Sequence, residues 1–210
     1  MKNDVTEITR IMYNRTASEY AETHFDSSIL KKQYKTFMTL CRGKLVLDVG
    51  CGPGRDVEHL MINGYQVIGV DYSNGMIKEA KRRVPKGDFR KMDMRNLKFE
   101  KNTFDGIWAC GSVIHIPKPE VKKVLRGFNR ILKPNGILYI AVKKGIGEKL
   151  EDRKNGKKKF FAYYSEGEIK RILKENGFKT LKIQFHRNKK NDLYINIFAK
   201  SVSSHSELNG

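Results

Sequence analysis

The chain has 210 residues, of which 39% are apolar and 10% aromatic, so it can bury the hydrophobic core of one medium-sized domain. This composition excludes an intrinsically disordered chain. The formal net charge of +19 has two interpretations: a polyanionic partner such as nucleic acid, or a general excess of lysine with no particular partner. We favour the second.

The cysteines and the apolar segments bear on the cellular compartment. Cys41, Cys51 and Cys110 are too few and too scattered for a disulfide framework or a zinc site, so we expect no metal and a reducing environment. The first residues, MKNDVTEITR, lack the apolar core of a secretory signal. The roughly 18 consecutive apolar residues that span a membrane occur nowhere. We therefore expect a cytoplasmic protein that does not enter a membrane.

Strand-like and helix-like segments alternate along most of the chain. Two helices are predicted first, at residues 5–23 and 27–41. Five strands follow in KLVLDV, QVIGVD, GDFRKM, FDGIWACG and GILYIAV, with helices at residues 55–63, 73–83 and 120–132. Ser73 is the expected N-cap of its helix, and KPNG at residues 133–136 is expected to end the last of these helices. Short apolar strands separated by helices are typical of a parallel sheet covered on both faces.

The pattern changes after residue 144. A helix is predicted from near Ser165, ended by Gly177, and the strand-like runs KTLKIQF and DLYINIFAK follow, joined by HRNKKN. Two such runs around a short polar turn indicate an antiparallel hairpin. We expect one domain, made of N-terminal helices (1–43), a ligand-binding core (44–144), a substrate-side segment with the hairpin (145–200) and a frayed tail (201–210).

The segment VGCGPGRD follows the first strand and contains three glycines at alternate positions. Gly50, Gly52 and Gly54 read G-x-G-x-G, whereas a dinucleotide-binding turn reads G-x-G-x-x-G and would place a glycine at Arg55. Glycines allow positive φ and close approach of a ligand, and the helix that follows directs free N–H groups at it. The spacing therefore favours a nucleotide-like ligand other than NAD.

Three carboxylates, Asp48, Asp71 and Asp93, follow successive predicted strands. In an open α/β sheet, ligands bind beyond the carboxyl ends of the strands, and an acidic residue after the second strand accepts hydrogen bonds from ribose hydroxyls. Asp71 has that position. Asp93 and Met94 combine a polar acceptor with an apolar surface, which suits an adenine ring.

These segments resemble those of the class I S-adenosylmethionine-dependent methyltransferases. VLDVGCGPGRD resembles their first motif, VIGVDYSNGMIKEAKRR their second strand and helix, GDFRKMDMRNLKFEKNTFDGIWACGSVIHI their adenine loop and fourth strand, and ILKPNGILYIAV their fifth strand. The resemblance is continuous over residues 44–142 and weaker to residue 200. It implies an α/β, Rossmann-like three-layer sandwich with a mostly parallel seven-stranded sheet, a C-terminal antiparallel hairpin and N-terminal helices over the site.

The resemblance also implies roles for individual residues, with S-adenosylmethionine as cofactor and S-adenosylhomocysteine as product. Asp48 would hold the methionine amine, and Cys110 would offer it a backbone carbonyl. Asp71 would bind the ribose. The remaining implied cofactor contacts are Gly50, Cys51, Gly52, Gly54, Tyr72, Met76, Asp93 and Met94. Any nucleophilic role for Cys51 or Cys110 is disfavoured.

His115 follows the fourth strand and is the candidate catalytic residue. It would act either as a general base or as a structural histidine, and we favour the structural role. Tyr13 and Tyr20, spaced i, i+7 on one helix face, are substrate-side candidates for which core packing is the stronger interpretation. Lys143 and Tyr163 are further candidates, because they flank the segment that leaves the fifth strand at the active-site edge.

The acceptor is not specified by these motifs. The cluster GKKKFFAYY could neutralise and stack on a nucleic acid, but we expect residues 157–159 to be a solvated hairpin tip and 160–164 a strand entering the core. ACGS stands where nucleic-acid amino-methylating relatives carry an NPPY-like motif. We expect a small-molecule methyltransferase, as a monomer or homodimer. The alternatives are an RNA (tRNA) methyltransferase, a non-catalytic cofactor-binding protein and a nicotinamide enzyme.

Overall fold

The computed structural model describes residues 4–153, 156–188 and 191–202. Its helices are α1 (Val5–His24), α2 (Lys31–Leu40), α3 (Arg55–Ile62), α4 (Asn74–Arg83), α5 (Lys118–Ile131) and α6 (Glu166–Glu175). Its strands are β1 (Leu45–Val49), β2 (Gln66–Asp71), β3 (Asp88–Lys91), β4 (Phe104–Cys110), β5 (Leu132–Lys144), β6 (Glu148–Asp152), β7 (Lys158–Tyr164), β8 (Phe178–Arg187) and β9 (Leu193–Ser201). Short 3₁₀ turns lie at Ser28–Leu30, Met94–Asn96 and Val113–His115.

The first five strands form a parallel sheet in the order β3-β2-β1-β4-β5. The chain builds outward from β1 to β3 on one side and then crosses to β4 and β5 on the other. The strand order therefore reverses between β1 and β4, which is where an open α/β sheet leaves a crevice at the carboxyl ends of its strands.

The far edge of β5 pairs with two strands. β9 runs antiparallel to it from Ile137 to Lys143, and β8 continues that hairpin, as predicted. β7 joins β5 in parallel at Lys143 and Lys144 only, and β6 lies antiparallel to β7. The fold is thus the predicted α/β sandwich with a mostly parallel core and antiparallel C-terminal strands.

The predicted number of seven strands is wrong, because the described part of the chain contains nine. The two additional strands come from the segment after β5. β7 was anticipated as a strand entering the core, and Phe160, Phe161 and Tyr164 are buried there. β6 was not predicted, since its sequence EKLED carries four charged residues and is mostly exposed.

The predicted turn at KPNG is also corrected in part. α5 ends at Ile131, immediately before it, but the turn lies inside β5 as an irregularity between Leu132 and Ile137. Asn135 has a φ of 62° there. Asparagine tolerates this left-handed conformation better than most residues, so the strand can bulge and then resume its pairing with β4.

Helices cover both faces of the sheet, which creates two hydrophobic clusters. One lies under α5 and α6 and includes Phe128 and Leu173; the other lies under α2, α3 and α4 and includes Phe37 and Leu60. Along β4, Ile107 and Ala109 belong to the first cluster and Trp108 to the second. The near-continuous apolar runs in the sequence reflect this burial on both faces.

Helix caps agree with the sequence predictions. The Ser73 hydroxyl accepts a hydrogen bond from the Met76 amide (3.2 Å) at the start of α4, and Ser165 caps α6 in the same way. Gly177, with a φ of 80°, follows the end of α6. The two serine hydroxyls pair with amides that have no partner within the helix, and they thereby mark where each helix begins.

Of the N-terminal helices, only α1 lies over the crevice. The Asn14 side-chain oxygen accepts hydrogen bonds from the Ser73 hydroxyl (2.6 Å) and the Gly75 amide (3.0 Å). At its other end the Thr9 hydroxyl accepts one from the Phe160 amide (3.0 Å). α2 instead packs into the core through Tyr34 and Phe37, so the expectation that both helices cover the site is corrected to α1 alone.

Within the described ranges, no helix is both long enough and apolar enough to cross a bilayer. The predicted frayed tail falls largely on residues 203–210, and part of the predicted polar turn falls on residues 189–190; these lie outside the described residues.

Candidate active site

A cavity lies at the carboxyl ends of β1, β2 and β4, and α1 forms its outer wall. The empty space within its walls and at its mouth amounts to about 760 Å³, part of which is open to solvent. Most of the residues singled out from the sequence meet here: Tyr13, Tyr20, Gly50, Gly52, Asp71, Tyr72, Met76, Asp93, Met94, Cys110 and His115 all line it.

The glycine turn forms the floor of the cavity. Gly50 has a φ of 74°, and a Cβ at this position would lie 2.3 Å from the Cβ of Ser112. Gly52 has a φ of 54°, and no atom lies within 4 Å of where its Cβ would be. Position 50 therefore requires glycine both because φ is positive and because a side chain would clash with Ser112. Position 52 favours glycine because φ is positive, and the space beside it is open. Cys51 and Gly54 support the turn without lining the cavity.

Asp71 connects the glycine turn to the end of β2. One carboxylate oxygen accepts a hydrogen bond from the Gly52 amide (3.0 Å), and the other accepts one from the Ser73 amide (2.8 Å). Burial raises the pKa of Asp71 to about 6, although these backbone amides act in the opposite direction. Each carboxylate oxygen has a further lone pair, so the group retains capacity for hydroxyl donors on a ligand.

The β3 end of the cavity combines an aromatic ring with cations and methionines. The guanidinium carbons of Arg10 and Arg95 lie 5.5 and 6.0 Å from the centre of the Tyr72 ring. Asp93 accepts hydrogen bonds from the Arg95 backbone and side chain, both at 2.9 Å. Any ligand group that binds Asp93 must therefore share it with Arg95. Met94 adds an apolar surface beside them.

Cys110 lines the opposite, β4 end of the cavity, whereas Asp48 at the end of β1 is not among the residues that line it. Asp48 is 1% exposed, and one of its carboxylate oxygens is buried without a hydrogen-bond partner among the residues described. Burial, followed by the neighbouring Asp56, raises the pKa of Asp48 well above its usual value. Burial also raises the pKa of Cys110 to about 12. The thiol is thus protonated at neutral pH, which argues against a nucleophilic role.

His115, Tyr13 and Lys159 form a hydrogen-bonded chain at the wall of the cavity. His115 Nδ1 lies 2.7 Å from the Phe160 carbonyl oxygen, and its Nε2 lies 3.1 Å from the Tyr13 hydroxyl. Because a carbonyl only accepts, Nδ1 carries the hydrogen, and Nε2 of the neutral ring accepts from Tyr13. The Lys159 ammonium donates to the Tyr13 oxygen.

The surroundings keep this imidazole neutral. Burial is the main cause that lowers the pKa of His115 well below its usual value, and Lys159 is the second; Lys143 and Arg153 act in the same direction. Burial likewise raises the pKa of Tyr13 well above 10. Near neutral pH the Tyr13 side chain is therefore a phenol and the His115 imidazole is uncharged.

Comparisons with known proteins agree with this geometry. A family model described as a methyltransferase domain matches residues 46–136. The chain is 37% identical over 99 residues to the demethylmenaquinone methyltransferase of Renibacterium salmoninarum, covering 47% of this chain and 41% of that one. It is 31% identical over 131 residues to a 2-methyl-6-phytyl-1,4-hydroquinone methyltransferase of Synechocystis, covering 60% and 40%. The chain thus spans less than half the length of these curated relatives.

Solved structures extend the fold likeness to nearly the whole chain. The 1,6-didemethyltoxoflavin-N1-methyltransferase of Burkholderia thailandensis, bound to its substrate and S-adenosylhomocysteine, superposes with a TM-score of 0.78 at 19% identity, covering 94% of this chain and 88% of that one. Residues 46–136 of this chain therefore match a methyltransferase domain, and the chain has the fold of solved S-adenosylmethionine-dependent methyltransferases.

The residues of this cavity fit S-adenosylmethionine, the cofactor of the similar methyltransferases. The open space beside Gly52 leaves room for a ligand against the backbone. Asp71 has unused acceptor capacity where a ribose would lie. Asp48, which does not itself line the cavity, carries a buried oxygen without a partner among the described residues, and buried polar atoms are usually paired with a donor. The hydroxyl groups of a ligand could donate to Asp71, and an ammonium group could donate to Asp48.

Two of the predicted substrate-side residues do not reach the methyltransferase cavity. Lys143 is buried, pairs with Asp192 (3.0 Å) and has its ammonium 4.2 Å from the centre of the Phe161 ring. The Tyr163 hydroxyl donates to Glu151. Both side chains lie beside the cavity wall rather than in it.

Lys159 corrects the expectation of a solvated lysine tip. Its ammonium lies 4.3 Å from the centre of the Tyr13 ring and 5.0 Å from that of Phe161. Side chains two residues apart in a strand share a face, so β7 places Lys159 beside Phe161. The expectation of a solvated tip rested on the charge of residues 157–159. In the structure β7 already begins at Lys158, so Lys159 belongs to the strand.

The face of α1 was also misjudged. Tyr13 and Tyr20 line the cavity, with ring centres 5.5 Å apart, so the preference for core packing was wrong. Sequence reasoning missed Thr6, Thr9 and Arg10, which lie on the same face and line the cavity as well. Positions 6 and 9 lie three to four residues apart from each other and from Tyr13, as residues on one helix face do. This spacing is the sequence signal that could have identified the two threonines. Ser112 was missed too, and no periodic pattern marks it.

Proposed function

We propose that this protein transfers a methyl group from S-adenosylmethionine to a small-molecule acceptor. The observation that carries the proposal is the continuous cavity that joins the glycine turn and Asp71 to Tyr13 and His115 beneath α1. When bound, the cofactor supplies an electrophilic methyl group on a sulfonium. The protein then needs chiefly to hold and align the two reactants and to exclude water.

The proposed cofactor contacts follow the order of the strands. Asp93, Met94 and Tyr72 receive the adenine beyond β3, and Asp71 receives the ribose beyond β2. The methionine part lies beyond β1 and β4. Its proposed contacts, with those that shape the turn, are Asp48, Gly50, Cys51, Gly52, Gly54, Met76 and Cys110.

The enclosure of the cavity supports a small acceptor. α1 closes the outer side and is held there by Asn14 against α4 and by Thr9 against β7. An acceptor that meets the methyl group beside Tyr13 and His115 must therefore enter a covered space. The relatives named for demethylmenaquinone and for a phytyl hydroquinone make quinol rings the first acceptors to assay.

In this proposal His115 positions Tyr13 and is not a general base. A base is most effective when its pKa is near the working pH, whereas burial and Lys159 lower the pKa of His115 well below its usual value. Its Nε2 is also occupied by the Tyr13 hydroxyl. The acceptor that suits such a site is already nucleophilic or already deprotonated.

Binding and transfer assays test the proposal together. By calorimetry we expect S-adenosylhomocysteine to bind in the micromolar range and NADH not to bind. With methyl-labelled S-adenosylmethionine we expect label to enter hydroquinones or a metabolite extract, and not total tRNA. Binding of NADH alone supports the nicotinamide alternative, binding without transfer to any acceptor supports a non-catalytic protein, and labelling of tRNA supports the RNA alternative.

A further inference from the structure

An exposed isoleucine lies at the same edge of the sheet as the cavity. Residues 145–147 read Gly-Ile-Gly and connect the carboxyl end of β5 to β6, and β5 runs parallel to β4, whose carboxyl end borders the cavity. Ile146 is 93% exposed. The Gly147 carbonyl accepts a hydrogen bond from the Tyr163 amide (2.9 Å), which attaches the turn to β7. The fold therefore holds an apolar side chain in place without burying it.

A second apolar side chain lies near this turn. Phe185 on β8 is 48% exposed, and the Lys144 ammonium lies 5.8 Å from the centre of its ring. Phe185 pairs with Ile195 on β9, which in turn pairs with Val142 near the carboxyl end of β5. Both apolar groups thus lie at the cavity edge of the sheet. We call the set of Lys144, Ile146, Lys149 and Phe185 the β5-edge patch.

The segment that carries most of this patch is rich in positive charge. Residues 143–159 contain eight lysines and arginines but only three acidic residues. Each of these acidic residues has a partner within the protein, either a backbone amide or a cation. Lys144 and Lys149 are exposed on either side of Ile146. The apolar side chain is therefore surrounded by a local excess of cations.

This combination of groups fits the surface of an anionic bilayer. Lysine ammoniums attract acidic headgroups, and an apolar side chain enters the boundary between headgroups and acyl chains. A nucleic acid meets the cations equally well but gains little from an aliphatic side chain. A stable protein partner needs a much larger contact area than these few side chains offer. The patch therefore favours a lipid surface over RNA or a second protein.

We propose that the β5-edge patch binds the surface of an anionic bilayer, with Ile146 inserted among the headgroups. The protein then lies on the membrane without crossing it. The inference rests on the proposed function and deepens it, because the patch and the cavity share one edge of the sheet. An acceptor that is dissolved in lipid, such as a ring compound with an apolar tail, is thereby brought close to the cavity.

Vesicle sedimentation tests this proposal with neither cofactor nor acceptor present. The protein is mixed with vesicles of phosphatidylglycerol and phosphatidylcholine, or of phosphatidylcholine alone, at low and at physiological salt. We expect binding to the anionic vesicles, part of which persists at physiological salt, where attraction between separated charges is largely screened. Ile146→Ser should weaken this persisting binding by about 10-fold or more, as loss of one inserted aliphatic side chain implies.

Ile62→Ser is the matched control. Ile62 is 79% exposed, but it ends α3 just before β2 and so lies at the opposite, amino edge of the parallel sheet. The substitution removes the same side chain without changing the charge, and the variant should bind vesicles like the wild type. A salt-resistant component that Ile62→Ser loses to the same extent as Ile146→Ser would contradict the role of the patch.

Three further results overturn the inference. They are wild-type binding that disappears at physiological salt, equal binding to neutral and anionic vesicles, and equal binding by Ile146→Ser and the wild type. The first and the last would mean that charge alone attracts the vesicles, as it attracts RNA. None of these results affects binding of S-adenosylhomocysteine, so calorimetry with that ligand separates failure of this inference from failure of the proposed function.

Discussion

At the scale of single residues, we expect Asp71 to make the proposed cofactor site sensitive to pH. Burial raises the pKa of this carboxyl to about 6. A protonated carboxyl accepts hydrogen bonds from ribose hydroxyls poorly, so we expect affinity for S-adenosylhomocysteine to fall as the pH drops through about 6. Asp71→Asn should bind at least about 10-fold more weakly at neutral pH. Calorimetry at several pH values measures both effects.

The same substitution serves as the control for this pH dependence. Ionisation of Asp48 also favours a bound ammonium and acts in the same direction, since its pKa is raised by burial and by Asp56. Asp71→Asn removes only the change centred near pH 6. If the Asn variant keeps that change, another group is responsible and the role of Asp71 is wrong.

A second residue-scale prediction concerns the tautomer of His115. Because burial and Lys159 lower its pKa well below the usual value, we expect the ring to remain neutral, with hydrogen on Nδ1, at pH 6 and above. Nitrogen-15 NMR of labelled histidine measures this directly. His115→Gln should reduce turnover of an acceptor by less than the roughly 10²–10⁴-fold typical of a lost general base. The opposite result would be an imidazole that titrates near pH 6–7 together with a rate that depends on pH over the same range. If His115→Gln abolished that pH dependence, His115 would be the general base.

At the scale of elements, the docking of α1 determines whether the cavity is closed. The Asn14 side chain accepts hydrogen bonds from Ser73 and Gly75 on α4, and a Cβ at Gly75 would lie 2.8 Å from the Asn14 carbonyl oxygen. The two helices therefore approach closely, with a polar contact at the point of crossing. The same helix supplies Tyr13 and Tyr20 to the cavity wall.

We expect Asn14→Ala to loosen α1 without unfolding the sheet. Leaving a partly buried donor without its acceptor costs about 1–3 kcal/mol, which should appear as faster amide hydrogen exchange in α1 and as weaker binding of S-adenosylhomocysteine. Ser18→Ala, an exposed position on the same helix, is the control and should exchange like the wild type. Equal exchange in both variants would show that Asn14 does not hold the helix.

At the scale of the whole molecule, the net charge of +19 predicts binding to polyanions without recognition of them. We expect tRNA and an unrelated RNA of equal length to bind alike, with affinity that falls steeply as salt increases, because such binding is driven by release of counterions. Filter binding or anisotropy between low and physiological salt measures this. Tight binding of one RNA that persists at about 200 mM salt would support the RNA alternative.

The sequence by itself determined which residues form the proposed cofactor half of the cavity. The three glycines, Asp71 and the strand-end position of Asp93 are each identified by features within one short segment: a strand period, a turn that needs positive φ, or a cap. Parallel strands bring their carboxyl ends to one edge, so local patterns were enough to place these residues together. Local patterns also correctly predicted Ser73 as the N-cap of α4 and the start of α6 near Ser165.

Only the tertiary structure decided the acceptor half and the setting of Arg55. Tyr13 meets residues 102 and 146 positions away, His115 and Lys159. These contacts depend on how α1 packs against β7. A periodic pattern within one segment shows which face of a helix is apolar, but it does not show which element packs against that face. Arg55 is similar: its place after the glycines is visible in the sequence, but its orientation is set by Asp56, which Tyr34 and Trp108 hold from other elements. Side-chain direction at such positions is a result of packing, and packing is a property of the whole fold.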